Sequence, residues 1–345
     1  MSASASLAQK QAYLARVLEP WSDRLSAVAS PAPGERLGYR DRVTLTARWS
    51  EHPGWQFGLV RRDELIAIHD CPVHTPRVLR LVHALAGGLP SGQDLSLAYL
   101  HVAGAQATLI VKARGVAVDT LRPAIEAAAG TGIEGLWLHE HPSAGRRLFG
   151  RGGWSLLWGV EESIGPDGLV HGPTAFLQAL PGLHAAAIGN ALDFLRPDAS
   201  TAVLDLYCGL GSTLRAWRQA GAAALGVELS GEAVRCAGRN GPGATVLRGT
   251  CVQRLPQVLD WWNRQPSRRV AYVNPPRSGL ETELLDALAG PLRPERIAYL
   301  SCSAGTLSRD LRALEAAGYA VRAILPFDFF PMTHHVEALA LVERL

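Results

Sequence analysis

The segment that decides the fold is Asp205-Leu206-Tyr207-Cys208-Gly209-Leu210-Gly211-Ser212, which closes the apolar run Ala202 to Tyr207. A short apolar run that ends in glycines is typical of a buried strand whose backbone approaches a ligand, because a Cβ would collide there. Leu214 stands where a dinucleotide-binding turn has its third glycine or alanine, which disfavours NAD. We interpret Gly209 and Gly211 as cofactor-binding residues, with a plain tight turn as the alternative.

Six further apolar runs alternate with helical segments in the carboxyl-terminal half, which predicts a parallel sheet buried on both faces. They are Ala223 to Leu229, Thr245 to Arg248, Val270 to Val273, Ile297 to Cys302, Val321 to Phe327 and Val336 to Glu343. Only Asp328 to His335 joins the last two runs, which is too short for a parallel crossover. The prediction is an α/β, Rossmann-like sheet of seven strands whose last strand is antiparallel.

The amino-terminal half predicts an additional α+β domain. A peripheral helix over Leu7 to Leu25 should end before the turn at Ser30 to Gly34. Alternating and helical patterns then predict seven strands and two helices: Arg42 to Arg48, Gln56 to Val60, Glu64 to Ile68, helix Pro76 to Ala86, Ser96 to Val102, Thr108 to Ala113, helix Leu121 to Ala129, Gly135 to His139 and Ser155 to Val160. We therefore expect a helix over 1–30, an α+β domain over 31–165 and the α/β domain over 166–345.

Composition restricts the class of protein more than it identifies it. The chain has 345 residues, 48% of them hydrophobic, and a formal net charge of +3, which suits a polyanionic partner without requiring one. Its five cysteines are scattered without a CxxC pair, so we expect reduced thiols. Because Met1 to Lys10 lacks the pattern of a signal peptide and no apolar run is long enough to span a membrane, we expect a soluble, cytoplasmic monomer.

Unusual residues gather at the carboxyl ends of the predicted parallel strands, where open α/β sheets bind their ligands. Glu228 lies about 20 residues beyond the glycine turn, a separation that suits a ribose-binding carboxylate; a solvated acid is the alternative. The fourth strand continues into Asn274-Pro275-Pro276-Arg277, where two prolines fix the backbone. Cys302 ends the fifth strand. Because the last strand returns to this edge, Cys302 and Glu337 should converge.

Four motifs carry a resemblance to a known family: DLYCGLGS at 205–212, VNPPRSGL at 273–280, YLSCSAGTL at 299–307 and FDFFPMTHHVEALAL at 327–341. In this order they resemble the signatures of RNA uracil-C5 methyltransferases, over the chain from about Pro173 to its end. A weaker similarity extends to Gly38-Tyr39-Arg40, Asp70-Cys71-Pro72 and Phe176-Leu177-Gln178. The resemblance implies a class I methyltransferase fold and S-adenosylmethionine as cofactor.

The resemblance also implies roles for individual residues. Cys302 would be the nucleophile and Glu337 the base, while the remaining residues line the cofactor and uracil pocket: Gln178, Tyr207, Glu228 and Asn274. We expect Arg277 and Phe330 to contact the substrate. Carbon 5 of uracil becomes nucleophilic only after a thiolate adds to C6, and the C5 proton must later leave to a base. We therefore expect neighbouring groups to favour the thiolate of Cys302, and a uridine in a loop or a locally opened helix.

Departures from the family pattern limit what is carried over. Many relatives hold an iron–sulfur cluster on four cysteines, whereas Cys71 stands alone, so we expect no cluster and no metal. The segment Arg248 to Val252, which contains Cys251, lies where relatives often have an acidic or amide residue near the adenine. Ser303-Ala304 replaces Asn-Pro, and Leu180 replaces an asparagine. Asn274 replaces the usual aspartate, as in the short branch that acts on rRNA. We therefore favour 23S rRNA over tRNA as the partner, bound by the α+β domain without a β-barrel module.

Two other functions are compatible with these motifs. The stub Asn274-Pro275-Pro276-Arg277 permits a nitrogen methyltransferase, which has no use for Cys302. The departures near Cys251, Ser303 and Leu180 are also compatible with an RNA-binding factor that has lost catalysis. The sequence specifies neither the RNA nor the uridine.

Overall fold

A computed structural model describes residues 2–265 and 268–345; Met1, Pro266 and Ser267 lie outside the described residues. The chain forms two compact units. One comprises Met1–Pro33 together with Leu180–Leu345, and we call it the α/β unit. The other comprises Gly34–Ala179, and we call it the α+β unit.

The chain begins with helix α1 (Ala3–Val17), followed by a 3-10 helix at Glu19–Arg24. The prediction of one helix over Leu7 to Leu25 was wrong in extent, because Pro20 cannot continue the α-helical hydrogen bonds. The prediction of a peripheral helix was also wrong. The side chains of Leu14, Leu18 and Trp21 are at most 2% exposed and belong to the core of the α/β unit.

The α+β unit has a sheet of seven strands in the order β3-β2-β1-β4-β5-β6-β7, with every pair antiparallel except β5 and β6. Its elements are β1 (Arg42–Ser50), β2 (Gly54–Arg61), β3 (Glu64–Ala67), α2 (Pro76–Gly88), β4 (Leu97–Ala103), β5 (Gln106–Val111), α3 (Arg122–Ala129), β6 (Gly135–Glu140), β7 (Trp154–Gly159), β8 (Ser163–Ile164) and β9 (Val170–His171), with 3-10 helices at Pro33–Glu35 and Val118–Leu121. The seven predicted strands and two predicted helices are confirmed. The β8–β9 hairpin was missed because two-residue strands leave no alternation to detect.

The α/β unit alternates helices and strands after residue 180. Its elements are α4 (Pro181–Leu195), β10 (Thr201–Leu206), α5 (Ser212–Gln219), β11 (Ala223–Glu228), α6 (Gly231–Asn240), β12 (Thr245–Arg248), α7 (Cys251–Asn263), β13 (Arg268–Val273), α8 (Thr282–Ala289), β14 (Arg296–Ser301), α9 (Ala304–Ala316), β15 (Tyr319–Phe327) and β16 (Glu337–Arg344). All seven predicted strands are confirmed, with ends that shift by one or two residues. Tyr207, for example, lies outside β10 because its φ of 62° breaks the extended backbone.

The sheet of the α/β unit has the strand order β12-β11-β10-β13-β14-β16-β15. Strands β10 to β14 pair in parallel, and β16 is inserted between β14 and β15, antiparallel to both. The predicted reversed last strand is therefore confirmed. In this register Ser301 pairs with Ala338, and Phe327 pairs with Glu337.

The unit boundaries differ from the expected ranges 1–30, 31–165 and 166–345. Helix α1 is not a separate part, because its apolar face is buried in the α/β core. Residues 166–179 stay with the α+β unit, where local hydrogen bonds hold the segment. Strand β9 pairs with β8, with His171 opposite Ser163, and Arg42 Nε donates to the Ala175 carbonyl at 3.0 Å.

A buried ion pair joins α1 to the loop between β15 and β16. Lys10 is 2% exposed and Asp328 is 4% exposed, and the Lys10 ammonium group forms an ion pair with the Asp328 carboxylate. Lys10 Nζ also donates to the Phe330 carbonyl at 3.0 Å. The loop that leads into Glu337 is therefore fixed by a residue more than 300 positions earlier in the chain.

We predict that Lys10→Met lowers the free energy of unfolding by about 3–5 kcal/mol, because it leaves the Asp328 carboxylate buried without its counter-charge. Urea denaturation of the variant measures the loss. The double variant Lys10→Met/Asp328→Asn removes both charges and should lose less than Lys10→Met alone. Equal stability of Lys10→Met and the wild-type chain would contradict this account of the ion pair.

Candidate active site

The glycine turn after β10 has the backbone conformation that its sequence requires. Gly209 and Gly211 have φ values of 55° and 81°, which favour glycine. A Cβ on Gly209 would meet no atom of the described residues within 4 Å, whereas a Cβ on Gly211 would stand 2.9 Å from the Cα of Ala237 in α6. Gly209 thus leaves open space above the turn, and Gly211 permits close packing of the turn against α6.

The Glu228 carboxylate at the end of β11 is held beside this turn. One of its oxygens accepts a hydrogen bond from the Gly209 N–H at 3.2 Å, and the other accepts one from the Ser230 N–H at 2.7 Å. Each carboxylate oxygen has a further lone pair, so Glu228 retains the capacity to accept hydrogen bonds from ligand hydroxyls. A carboxylate in this position fits a ribose.

Tyr207 and Asn274 lie at the ends of the neighbouring strands β10 and β13. The Tyr207 hydroxyl donates to the Glu281 carboxylate, and burial raises the pKa of that hydroxyl. The Asn274 N–H donates to the Leu206 carbonyl at 3.2 Å, which fixes the start of the proline stub. Cys251 packs beside Tyr207 as the first residue of α7, and burial raises the pKa of its thiol to about 12.

Gln178 and the other predicted cofactor residues belong to different units of the chain. It lies at the end of the α+β unit, whereas Tyr207, Gly209, Gly211, Glu228 and Asn274 belong to the α/β unit. Its side-chain carbonyl is buried and has no hydrogen-bond partner among residues 2–265 and 268–345. A buried amide oxygen without a partner is costly, and this oxygen can accept a hydrogen bond.

Cys302 opens onto a cavity of about 740 Å³ within the α/β unit. Arg277, Ser303 and His335 contribute to its wall, and so do several residues of α1. The volume falls within the range of about 300–1,000 Å³ that is typical of small-molecule sites. The cavity therefore has room for a nucleobase beside the Cys302 thiol.

The electrostatic environment of Cys302 differs from the expectation that its neighbours favour the thiolate. Burial and the charge of Glu337 raise the pKa of the Cys302 thiol, and Arg277 opposes this with its charge and a hydrogen bond. The expectation was therefore wrong in its net direction. Of the charged groups that act on Cys302, Arg277 favours the thiolate and Glu337 disfavours it.

Glu337 lies beside Cys302 because of the strand register. It is the first residue of β16, one step beyond the pair formed by Ser301 and Ala338, and its side chain is almost fully buried at 6% exposure. Burial raises the pKa of the Glu337 carboxyl to about 7, against the lowering influence of Arg277. A carboxyl with this pKa can accept a proton near neutral pH.

The predicted substrate residues occupy two loops at this edge. Arg277 is exposed and lines the cavity. Phe330 is half-buried, and its ring lies 6.0 Å from the ring of His335 in an edge-to-face arrangement. Both loops contribute to the cavity wall, the second through His334 and His335, but of the two predicted substrate residues Arg277 is in the wall and Phe330 is not.

Sequence reasoning missed several residues that build this site. Lys10 fixes the loop before Glu337. Asp310 of α9 is fully buried and accepts hydrogen bonds from the Leu280 N–H at 3.0 Å and the Tyr299 hydroxyl at 2.7 Å, which fixes the loop that carries Arg277. One signal was available: Lys10 lies on the helical face of Leu14, where a lysine needs a buried acid.

Within 2–265 and 268–345, no three His, Cys, Asp or Glu side chains form a group that could hold a metal ion. Cys71 is a half-buried free thiol packed against the core of the α+β unit.

No helix in the described part of the chain has both the length and the apolar character needed to cross a membrane.

Comparisons with known proteins identify the family of the chain. A family model described as tRNA (Uracil-5-)-methyltransferase matches residues 265–345. The 23S rRNA (uracil(1939)-C(5))-methyltransferase RlmD of Pseudomonas entomophila is 31% identical over 98% of this chain and 75% of its own length. The chain belongs to the RNA uracil-C5 methyltransferase family.

Other relatives of the family match over shorter stretches or share the fold alone. An uncharacterized RNA methyltransferase of Halalkalibacterium halodurans is 34% identical over 54% of this chain and 42% of its own length, so the match spans about two fifths of that relative. The Pyrococcus abyssi tRNA (uracil-54, C5)-methyltransferase, solved with S-adenosyl-L-homocysteine, aligns with a TM-score of 0.73 and 19% identity over 99% of this chain and 84% of its own. This last comparison shows a common fold.

We predict that Glu337→Gln gains stability relative to the wild-type chain as the pH rises from 4.5 to about 7. A carboxyl whose pKa is raised on folding stabilises the folded state while protonated, and this contribution is lost as the pH rises through the folded pKa. The difference between 4.5 and about 7 corresponds to a change on the order of 3 kcal/mol in the relative stability. Urea denaturation across this range measures it, and a difference that is constant with pH would contradict the assignment.

Proposed function

We propose that this chain methylates carbon 5 of a uridine in RNA with S-adenosylmethionine as cofactor. The observation that carries the proposal is the placement of the buried Glu337, whose carboxyl pKa is about 7, next to Cys302 by the strand register, while Cys302 opens onto the cavity. A thiol and a buried base are the two groups that methylation of an unreactive pyrimidine carbon requires. The family membership of the chain supports the same activity.

The proposed mechanism assigns one role to each side chain. Arg277 stabilises the thiolate of Cys302, whose sulfur forms a bond to C6 of the uracil and moves electron density to C5. When bound, S-adenosylmethionine would supply the methyl group for C5 by cleavage of its sulfur–methyl bond, with S-adenosylhomocysteine as the leaving group. Glu337 then accepts the C5 proton, the C5–C6 double bond re-forms, and the C6–S bond breaks to release Cys302 as a thiolate.

The residues of the glycine turn fit the proposed cofactor. Open space above Gly209 allows a ligand to approach the backbone, and Glu228 is oriented beside it with lone pairs available for ribose hydroxyls. We assign Tyr207, Gly211 and Asn274 to the same pocket as residues that shape its floor. We propose Gln178 of the α+β unit as a further cofactor-binding residue from the resemblance to the family alone.

The proposed substrate is 23S rRNA, acted on by a monomer in the cytoplasm. The relative that matches almost the whole chain is named for 23S rRNA, and Asn274 in place of aspartate agrees with that branch. The target uridine must leave its stack to reach Cys302, which costs least where it is already unpaired. We assign the α+β unit to RNA contact, with Phe330 beside the target base.

We predict that RNA containing 5-fluorouridine traps the wild-type chain as a covalent adduct in the presence of the cofactor, because fluorine at C5 cannot leave as a proton. The adduct should survive denaturation and be absent with Cys302→Ala. Electrophoresis under denaturing conditions measures it, and peptide mass spectrometry locates it. A wild-type chain that transfers methyl groups without trapping an adduct would instead support a nitrogen methyltransferase.

The variant Glu337→Gln provides a matched test of the base. With ordinary RNA this variant should accumulate a covalent adduct in which C5 already carries the methyl group, because the C5 proton has no acceptor. Rapid turnover of Glu337→Gln on ordinary RNA would exclude Glu337 as the base. If the wild-type chain binds the cofactor but shows neither turnover nor an adduct, the alternative of an RNA-binding factor that has lost catalysis is favoured.

We predict that Glu228→Ala weakens S-adenosylmethionine binding by about 10- to 100-fold, because hydrogen bonds to a charged group contribute about 1.5–3 kcal/mol. Isothermal titration calorimetry measures the dissociation constant. Glu232→Ala, a change on the adjacent helix α6, is the control and should bind like the wild-type chain. Equal affinities of both variants would remove Glu228 from the cofactor site.

A further inference from the structure

Helix α1 forms part of the wall of the cavity that contains Cys302, a role that the proposed mechanism does not use. Gln9, Ala12, Tyr13 and Arg16 line this cavity. Their spacing of three, four and seven residues places them on one face of the helix. Lys10 also contributes to the cavity wall, and the adjoining part of the helix surface carries Leu14, which buries α1 in the core.

The cavity face of α1 carries an aromatic ring and a positive charge that are both accessible. Tyr13 is 40% exposed, and the Arg16 guanidinium lies 6.0 Å from the centroid of its ring. No carboxylate among residues 2–265 and 268–345 lies within ion-pair distance of Arg16. Helix α1 itself contains no acidic residue, so this charge is available to a ligand.

The ion pair of Lys10 makes this face rigid. Lys10 is buried with Asp328 on the side of α1 that faces the loop before Glu337, which fixes both the height and the rotation of the helix. Tyr13 and Arg16 are therefore presented at a defined position beside Cys302. A preorganised pair of this kind binds without the entropic cost of ordering a loop.

We propose that α1 is a binding surface for the single-stranded RNA that flanks the target uridine, with Arg16 on a phosphate and Tyr13 stacked on a neighbouring base. This inference rests on the proposed function, because RNA that inserts a uridine at Cys302 must continue along the same cavity. Arginine binds phosphate through paired N–H donors. Exposed aromatic rings are the usual stacking partners of unpaired bases.

The test uses the full chain and a 23S rRNA transcript that contains 5-fluorouridine. The rate of adduct formation is measured against RNA concentration for Tyr13→Leu, Tyr13→Phe and Arg16→Gln. The matched control is Arg312→Gln, an exposed arginine on helix α9 that does not line the cavity. Thermal unfolding of each variant confirms that these exposed changes leave the fold intact.

Tyr13→Leu should raise the RNA concentration at half-maximal rate roughly tenfold while the maximal rate is unchanged, because a lost stacking contact weakens binding alone. Tyr13→Phe retains a ring and should restore the wild-type value. Arg16→Gln should lower the slope of log affinity against log salt concentration by about one, as expected for one lost phosphate contact. Arg312→Gln should behave like the wild-type chain.

If Tyr13→Leu and Arg16→Gln match Arg312→Gln while the wild-type chain forms the adduct, the RNA-binding role of α1 is overturned and the proposed function stands. If the wild-type chain forms no adduct, the proposed function fails. In that case the salt dependence of binding by Cys302→Ala variants to the same transcript decides the role of α1. An unchanged salt slope in the Arg16→Gln chain would then overturn it.

Discussion

The antiparallel pairing of β16 with β14 is the constraint on which the site depends. Ser301 of β14 pairs with Ala338 of β16. Cys302 follows Ser301 and Glu337 precedes Ala338, so both residues lie at this edge of the sheet. Two residues separated by more than 30 positions are thus brought together by main-chain hydrogen bonds rather than by a flexible loop. Their proximity has an electrostatic consequence: burial and, next to it, the Glu337 charge raise the pKa of the Cys302 thiol, and Arg277 opposes them.

The fold could be predicted from the sequence to the extent that it follows from local patterns. Apolar runs of strand length specified all seven strands of the α/β sheet, and the short connection before Val336 specified the reversal of the last one. Because the carboxyl ends of parallel strands meet at one edge of a sheet, the predicted strands also put Glu228, Asn274 and Cys302 at that edge. Unit boundaries were less accurate, because the chain pattern does not reveal that β9 pairs with β8 or that Arg42 holds Ala175.

Interactions over long sequence separations could not be predicted in this way. The position of α1 depends on the ion pair of Lys10 with Asp328, and neither residue identifies its partner in the sequence. The rise in the Cys302 pKa could not be predicted from a sequence pattern either. It is the net result of burial and the Glu337 charge, which raise the pKa, and of Arg277, which lowers it. Lys10 and Lys112 are the only lysines among the 34 Lys and Arg residues of the chain. A lysine at position 10 provides the compact ammonium group that this buried position needs.

The central claim is that the Cys302 thiol and the Glu337 carboxylate face the same small volume. The most direct measurement is the pH dependence of iodoacetamide alkylation at Cys302, resolved by peptide mass spectrometry, in the wild-type chain and in Glu337→Gln. Cys71, the other half-buried thiol, is the internal reference. The account predicts a lower Cys302 pKa in Glu337→Gln with no change at Cys71; identical Cys302 profiles in the two chains would contradict it.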